Sequence, residues 1–291
     1  LPSQYPSPPI EIETPWVNND RRLDETVPYA APSTAPSTLP VEIIEYLHES
    51  LTEEWKTIYT DTINNLKSVI PLNNIYYNKV TVYAWDEDLD TLPYTDVPKA
   101  QGLHGGTQDL KMILAIGMPG TDPHSKAVIA HEYFHLWQKT LNNNMNTQVG
   151  FPIKWIVEGT AATFESIYTV QYHHSNQFLG QLSNSTAQIL SNPSINEIYS
   201  TKDPNYGSSI FMILFLVKEL INLGHTEIAA FKLVLNTYLH NQLDSTNWKT
   251  LFQTTFGFSV EAFYNRLKNY NQNNQNNLIP SEEITIQEIF N

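Results

Sequence analysis

Apolar residues recur at helical spacing through most of the second half of the chain, and at strand spacing in only two short stretches. Residues 79–85 (KVTVYAW) alternate and predict a β-strand; residues 111–116 (KMILAI) form a short apolar run that predicts a second. Between Pro40 and Ile70, the residues Ile43, Ile44, Leu47, Leu51, Trp55, Ile58, Ile63 and Leu66 fall three and four apart and predict helix throughout. Residues 126–137 (KAVIAHEYFHLW) are apolar nearly all round, as in a buried helix, and residues 155–165 (WIVEGTAATFE) read as another. An apolar helix over 210–223 and further helices over 228–240, 248–255 and 260–269 complete the pattern, before a polar connection (271–277, NQNNQNN) and a short tail. Residues 1–40 are rich in proline and include APSTAPSTLP, which has no means of building a core and reads as an extended arm.

Charge and composition narrow the function classes. Lys+Arg 16 against Asp+Glu 30 gives a net charge of −14, which argues against nucleic acid or an anionic membrane as partner. The longest apolar run, residues 210–217, is far too short to span a bilayer. With no cysteine in 291 residues, disulfides and thiol chemistry play no part. Leu1 at the start fits a processed product, and the expectation drawn from it is a secreted or extracytoplasmic protein.

The buried helix carries the chemistry. Its His131-Glu132-Tyr133-Phe134-His135 is an H-E-x-x-H pattern, and on an α-helix His131 and His135 project from one face a turn apart. Two imidazoles at that spacing can share one Zn²⁺, with Glu132 about 60° round the helix from His135, beside the water such an ion holds. Three polar groups in an apolar helix need compensation, and a metal supplies it. A third ligand is required, and Glu158, 23 positions after His135, is placed to return on a neighbouring helix. Gly159 costs a helix about 1 kcal/mol relative to Ala and makes sense where two helices approach closely.

VIAHEYFHLW followed by WIVEGTAATFE resembles the zinc signature of the gluzincin metallopeptidases, with its closest likeness to the aminopeptidase branch (roughly VIAHExxHxW, then WLNEGFAxYxE). The match covers about 25 residues in two blocks. The resemblance implies an α+β, zincin-like, two-lobed unit: an upper α/β lobe over 41–145 with a small mixed sheet, and a mainly helical lower lobe over 146–291. It implies one catalytic Zn²⁺ held by His131, His135 and Glu158, with Glu132 as general base in peptide hydrolysis. Glu165, seven positions after Glu158, is the expected partner of a ligating histidine. Some gluzincins aim a tyrosine at the oxyanion from just before a helix such as 210–223; Tyr206 is the candidate here, with Tyr199 and His225 in reserve. In this family the strand just before the zinc helix, here 111–116, is the edge along which substrate lies, and His104 could touch substrate there. The branch's G-x-M-E-N stretch, which grips a free amino terminus, has no counterpart, so an endopeptidase acting on peptide or protein is expected. A protease for a single protein target, and a non-catalytic binding protein of the same fold, share these residues and stay open.

Lesser signals remain. Asp86, Asp88 and Asp90 have the spacing that opens a calcium loop, but Thr91 and Val97 stand where its glycine and glutamate belong, so an acidic surface loop is the stronger reading. Thr121 or Asp122 can cap the zinc helix, and Asn184-Ser185-Thr186 is a glycosylation sequon.

Overall fold

The computed structural model describes residues 40–73, 76–95, 97–99, 101–105, 109–117, 123–142, 151, 153–182, 186–198 and 206–291. The proline-rich arm, Thr121, Asp122, the core of the sequon and Tyr199 lie outside them.

Four strands, β1 (Glu42–Leu47), β2 (Lys79–Asp86), β3 (Gln101–Gly105) and β4 (Asp109–Ile116), form one sheet in the order β1-β2-β4-β3. β1, β2 and β4 run parallel, and β3 is antiparallel to β4. Alternation sorts their side chains. Val80, Val82, Ala84, Leu110, Met112, Leu114 and Ile116 enter the main core. Trp85, Ile113 and Ala115 lie on the opposite face, packed with Val97, Leu89 and Tyr94 from the segment after β2.

Two expectations about this sheet are corrected. Residues 42–47 are an edge strand, not the first part of a helix. Ile43 and Leu47 pack on the core and Glu45 accepts a hydrogen bond from the Tyr59 hydroxyl at 3.0 Å. Over six residues, apolar positions three and four apart also fit a half-buried strand, and the β-branched Val41, Ile43 and Ile44 favour it. Helix α1 (Glu53–Val69) starts where a cap exists: the Thr52 side chain accepts from the Trp55 amide at 3.2 Å. The second correction concerns the strand before the H-E-x-x-H helix, β4, which is interior. The edge is β3, for which the sequence pattern predicts no strand. Its strand character comes from main-chain pairing with β4 (Gln101 to Leu114, His104 to Lys111) and from the Gln101 side chain donating to the Ala115 carbonyl at 3.1 Å. Glycines weaken a strand's sequence pattern without forbidding its ladder.

Helix α2 (Pro123–Leu141) and helix α3 (Lys154–His173) follow the sheet. Tyr133 of α2 donates to the carbonyl of Ile70 at the end of α1, and Trp55 of α1 donates to the carbonyl of Ser125 at 3.1 Å. The short α4 (Phe178–Leu182) and α5 (Thr186–Ser191) lead to a 3₁₀ turn at Pro193–Glu197, then to the apolar α6 (Tyr206–Asn222). α7 (Glu227–Lys232) runs into a wider turn, Leu233–Thr237, where the expected single helix over 228–240 loosens. α8 (Trp248–Phe256), α9 (Val260–Lys268) and α10 (Ile286–Phe290) close the chain. The tail does more than its sequence indicated. A capping box between Thr285 and Glu288 starts α10, and Phe290 then packs on Phe134, Trp137 and Phe164, behind α2 and α3.

One buried cluster runs from Leu51 to Ile289 and joins α1, the sheet and the later helices. The architecture is therefore mixed α and β, with a small four-stranded mixed sheet under a majority of helix. Among the described residues, no helix is long and apolar enough to cross a membrane.

Candidate metal centre

α2 is buried on every side, with Val128, Ile129, Ala130, Phe134 and Leu136 all fully inaccessible. Its i,i+4 histidines therefore cannot turn to water. His131 is 0 %, His135 3 % and Glu158 0 % exposed. α3 brings Glu158 up against them because its own first four turns are buried throughout. Gly159 explains how α3 seats: a Cβ there would lie 2.8 Å from the Ser209 carbonyl oxygen and 2.9 Å from Ile213. The close approach inferred from that glycine is real, but the neighbour is α6, which backs the Glu158 helix, and not the histidine helix.

The three ligand atoms form a small triangle. His131 Nε2 and His135 Nε2 are 3.0 Å apart, and Glu158 Oε2 lies 3.3 Å from His135 Nε2 and 3.5 Å from His131 Nε2. Two ligands at about 2.0–2.1 Å from one tetrahedral Zn²⁺ stand about 3.3–3.4 Å apart, so the triangle has the right size. Among the described residues this is the one set of three or more His, Asp or Glu side chains that converges in this way. Asp86, Asp88 and Asp90 do not.

The outer faces of the histidines fix where their protons are. His131 Nδ1 lies 2.7 Å from Glu165 Oε2, the contact expected from the sequence. His135 Nδ1 lies 2.8 Å from Gln138 Oε1. Both partners are acceptors, so each Nδ1 carries a proton and each neutral ring turns a bare Nε2 lone pair toward the other ring and toward Glu158. Three electron-rich atoms then face one another in a dry interior. That arrangement is unfavourable unless a cation, or added protons, sits among them. With added protons on the rings in place of a cation, burial still opposes the charge on Glu158, but the positive charge of His135, hydrogen bonds from His131 and His135 and the charge of His131 outweigh it. They hold its carboxyl well below the usual carboxylate range. The donor set of two imidazoles and one carboxylate suits Zn²⁺.

Glu132 is buried on the same helix and takes no part in the triangle. Tyr206 opens α6, the helix whose Ser209 lies against Gly159, but its side chain is outside the described residues, as is that of His104. The reserve candidate His225 is exposed beyond the far end of α6, which ends about 20 Å of helix rise after Ser209, and is not brought to the site. Gln138 and its neighbour Thr160 were not foreseen. The one available signal was a glutamine three residues after His135 inside an otherwise apolar helix.

The chain matches no protein-family model, no curated protein and no solved structure.

Proposed function

We propose that the protein is a zinc-dependent peptide hydrolase of zincin-like architecture that cuts internal peptide bonds. The observation that carries this reading is the buried convergence of His131 Nε2, His135 Nε2 and Glu158 Oε2, beside a glutamate one residue from the first histidine. The likeness of the two sequence blocks to the gluzincin signature supplies the reaction class.

His131, His135 and Glu158 would hold the ion. When bound, Zn²⁺ lowers the pKa of a water molecule toward about 7 and polarises the scissile carbonyl. Glu132 would accept the proton of an attacking water and return it to the leaving amine. Glu165 and Gln138 keep both rings in the tautomer that presents Nε2. Tyr206, three residues before the Ser209 that lies against Gly159, would donate a hydrogen bond to the oxyanion that develops on the carbonyl. The missing amino-terminus grip favours internal cleavage. Burial of all three residues is also what a structural, non-catalytic centre would have, but such centres close their shell with four protein ligands, and among the described residues only three converge.

The test is hydrolysis of internally quenched peptides blocked at both ends, by wild type and by Glu132→Gln. The variant is expected to keep its zinc and to lose about 10²–10⁴-fold in kcat/KM. Unchanged hydrolysis in Glu132→Gln would remove the proposed base, and cleavage confined to peptides with a free amino terminus would remove the endopeptidase assignment.

A further inference from the structure

We infer that Gln138 is a positioning residue for the metal centre, whose one amide fixes the His135 ring and at the same time ties it to the helix that carries Glu158. The inference rests on the metal reading above and deepens it. The Gln138 amide has no freedom to flip. Its Nε2 donates to the Val157 carbonyl at 3.2 Å and to Thr160 Oγ1 at 2.9 Å. The Thr160 hydroxyl spends its own proton on the Ile156 carbonyl at 2.6 Å, which leaves its oxygen as acceptor for Gln138. A flipped amide would set its carbonyl against that of Val157. Oε1 is therefore forced toward His135, 2.8 Å from Nδ1, where it can only accept.

Two consequences follow from the placement. His135 must carry its proton on Nδ1, so Nε2 is left for the ion. And the two residues that hold the amide, Val157 and Thr160, flank Glu158 on α3, so the distance between His135 and Glu158 is set through a strut of three hydrogen bonds in a fully buried seam. His131 is held differently, by Glu165 from the same α3. A glutamate at 138 would keep the acceptor but lose both donors, and would set a bare oxygen against the Val157 carbonyl, which explains an amide on this side. Partners of ligating histidines typically contribute 10–100-fold in metal affinity.

The experiment is zinc affinity by chelator competition for wild type, Gln138→Met and Thr160→Val, beside thermal melts of the metal-free and zinc-loaded forms. Gln138→Met keeps the side-chain length and removes the whole strut. Its zinc affinity is expected to fall about 10–100-fold. In the NMR spectrum of its zinc-loaded form the His135 Nδ1 proton should be lost to exchange with water while that of His131 persists. Thr160→Val removes one anchor and keeps the His135 contact, so a smaller loss is expected, and it decides the matter if Gln138→Met does not fold. Zinc bound as tightly as by wild type in every variant that folds, with only the metal-free melting temperature lowered, would make Gln138 a packing residue and overturn this role while leaving the metal reading intact. A wild-type protein that binds no zinc would overturn the metal reading and this role with it.

Discussion

Two stretches of this chain carry metal-like spacing, and the fold treats them in opposite ways. His131, His135 and Glu158 sit on two buried helices whose backbones, outer partners and neighbours leave each side chain one direction to point. Asp86, Asp88 and Asp90 sit where β2 ends, with Asp88 and Asp90 exposed and the Asp86 carboxylate accepting from the Asp88 amide at 3.0 Å in a local turn. Val97, standing where a calcium loop needs its glutamate, is 3 % exposed and packs with Trp85 and Ile113 on the second face of the sheet. Spacing became a cluster only where rigid elements and outer hydrogen bonds removed the alternatives; on the surface, the same kind of spacing was spent on a turn and an apolar plug.

That contrast can be broken at several points. The largest effect belongs to the cluster itself: His131→Ala or Glu158→Ala should abolish stoichiometric zinc binding, whereas Asp88→Asn should leave zinc content unchanged. Elemental analysis reads all three. Next comes the helix contact behind Glu158. Gly159→Ala pushes a methyl group to within 3 Å of the Ser209 backbone, which a helix cannot yield cheaply, so a loss of about 1–3 kcal/mol in unfolding free energy is expected. Urea titration checks it, and an unchanged midpoint would mean that α3 and α6 are not seated as described.

The smallest expected effect lies in a buried chain that anchors the start of α3. Trp155 Nε1 donates to the Tyr264 hydroxyl at 3.0 Å, and that hydroxyl donates to Glu197 Oε1 at 2.8 Å. Burial raises the Glu197 carboxyl above the ordinary value of 4.5, against the pull of the Tyr264 hydrogen bond and Lys249. A group raised on folding contributes its full stability below the unfolded value and loses it as pH rises through the folded one. Glu197→Gln, which keeps the acceptor and never ionises, should therefore melt above wild type at pH 7, and the gap should close as pH falls below 4.5. A gap that widens toward acid would reverse the sign assigned to Glu197.

How much of this was legible beforehand follows from which residues speak locally. The convergence of His131, His135 and Glu158 was readable because i,i+4 histidines and a later glutamate have few other uses inside apolar helices, and the contact of Glu165 because a seven-residue step returns to nearly the same face. β2 was readable from its alternation. β1 was not, since six residues with two isoleucines and a leucine fit either period and only pairing with Lys79–Asp86 decides it. β3 was hidden by its glycines. Gln138 was hidden for a different reason: glutamine is an ordinary helix residue, and its role exists only once Val157 and Thr160 of another helix stand opposite. The packing of Phe290 on Phe134 and Trp137 is likewise a matter of tertiary neighbours.

The central claim is that three bare lone pairs meet in a dry interior because a metal ion belongs there. Elemental analysis of the purified protein, repeated after stripping and after reloading with Zn²⁺, tests it most directly. One zinc per chain, restored on reloading and absent from His131→Ala and Glu158→Ala, is the result the account requires. A wild-type chain that carries no metal and takes up none from added Zn²⁺ would contradict it, and would make the triangle of His131, His135 and Glu158 a protonated hydrogen-bond cluster.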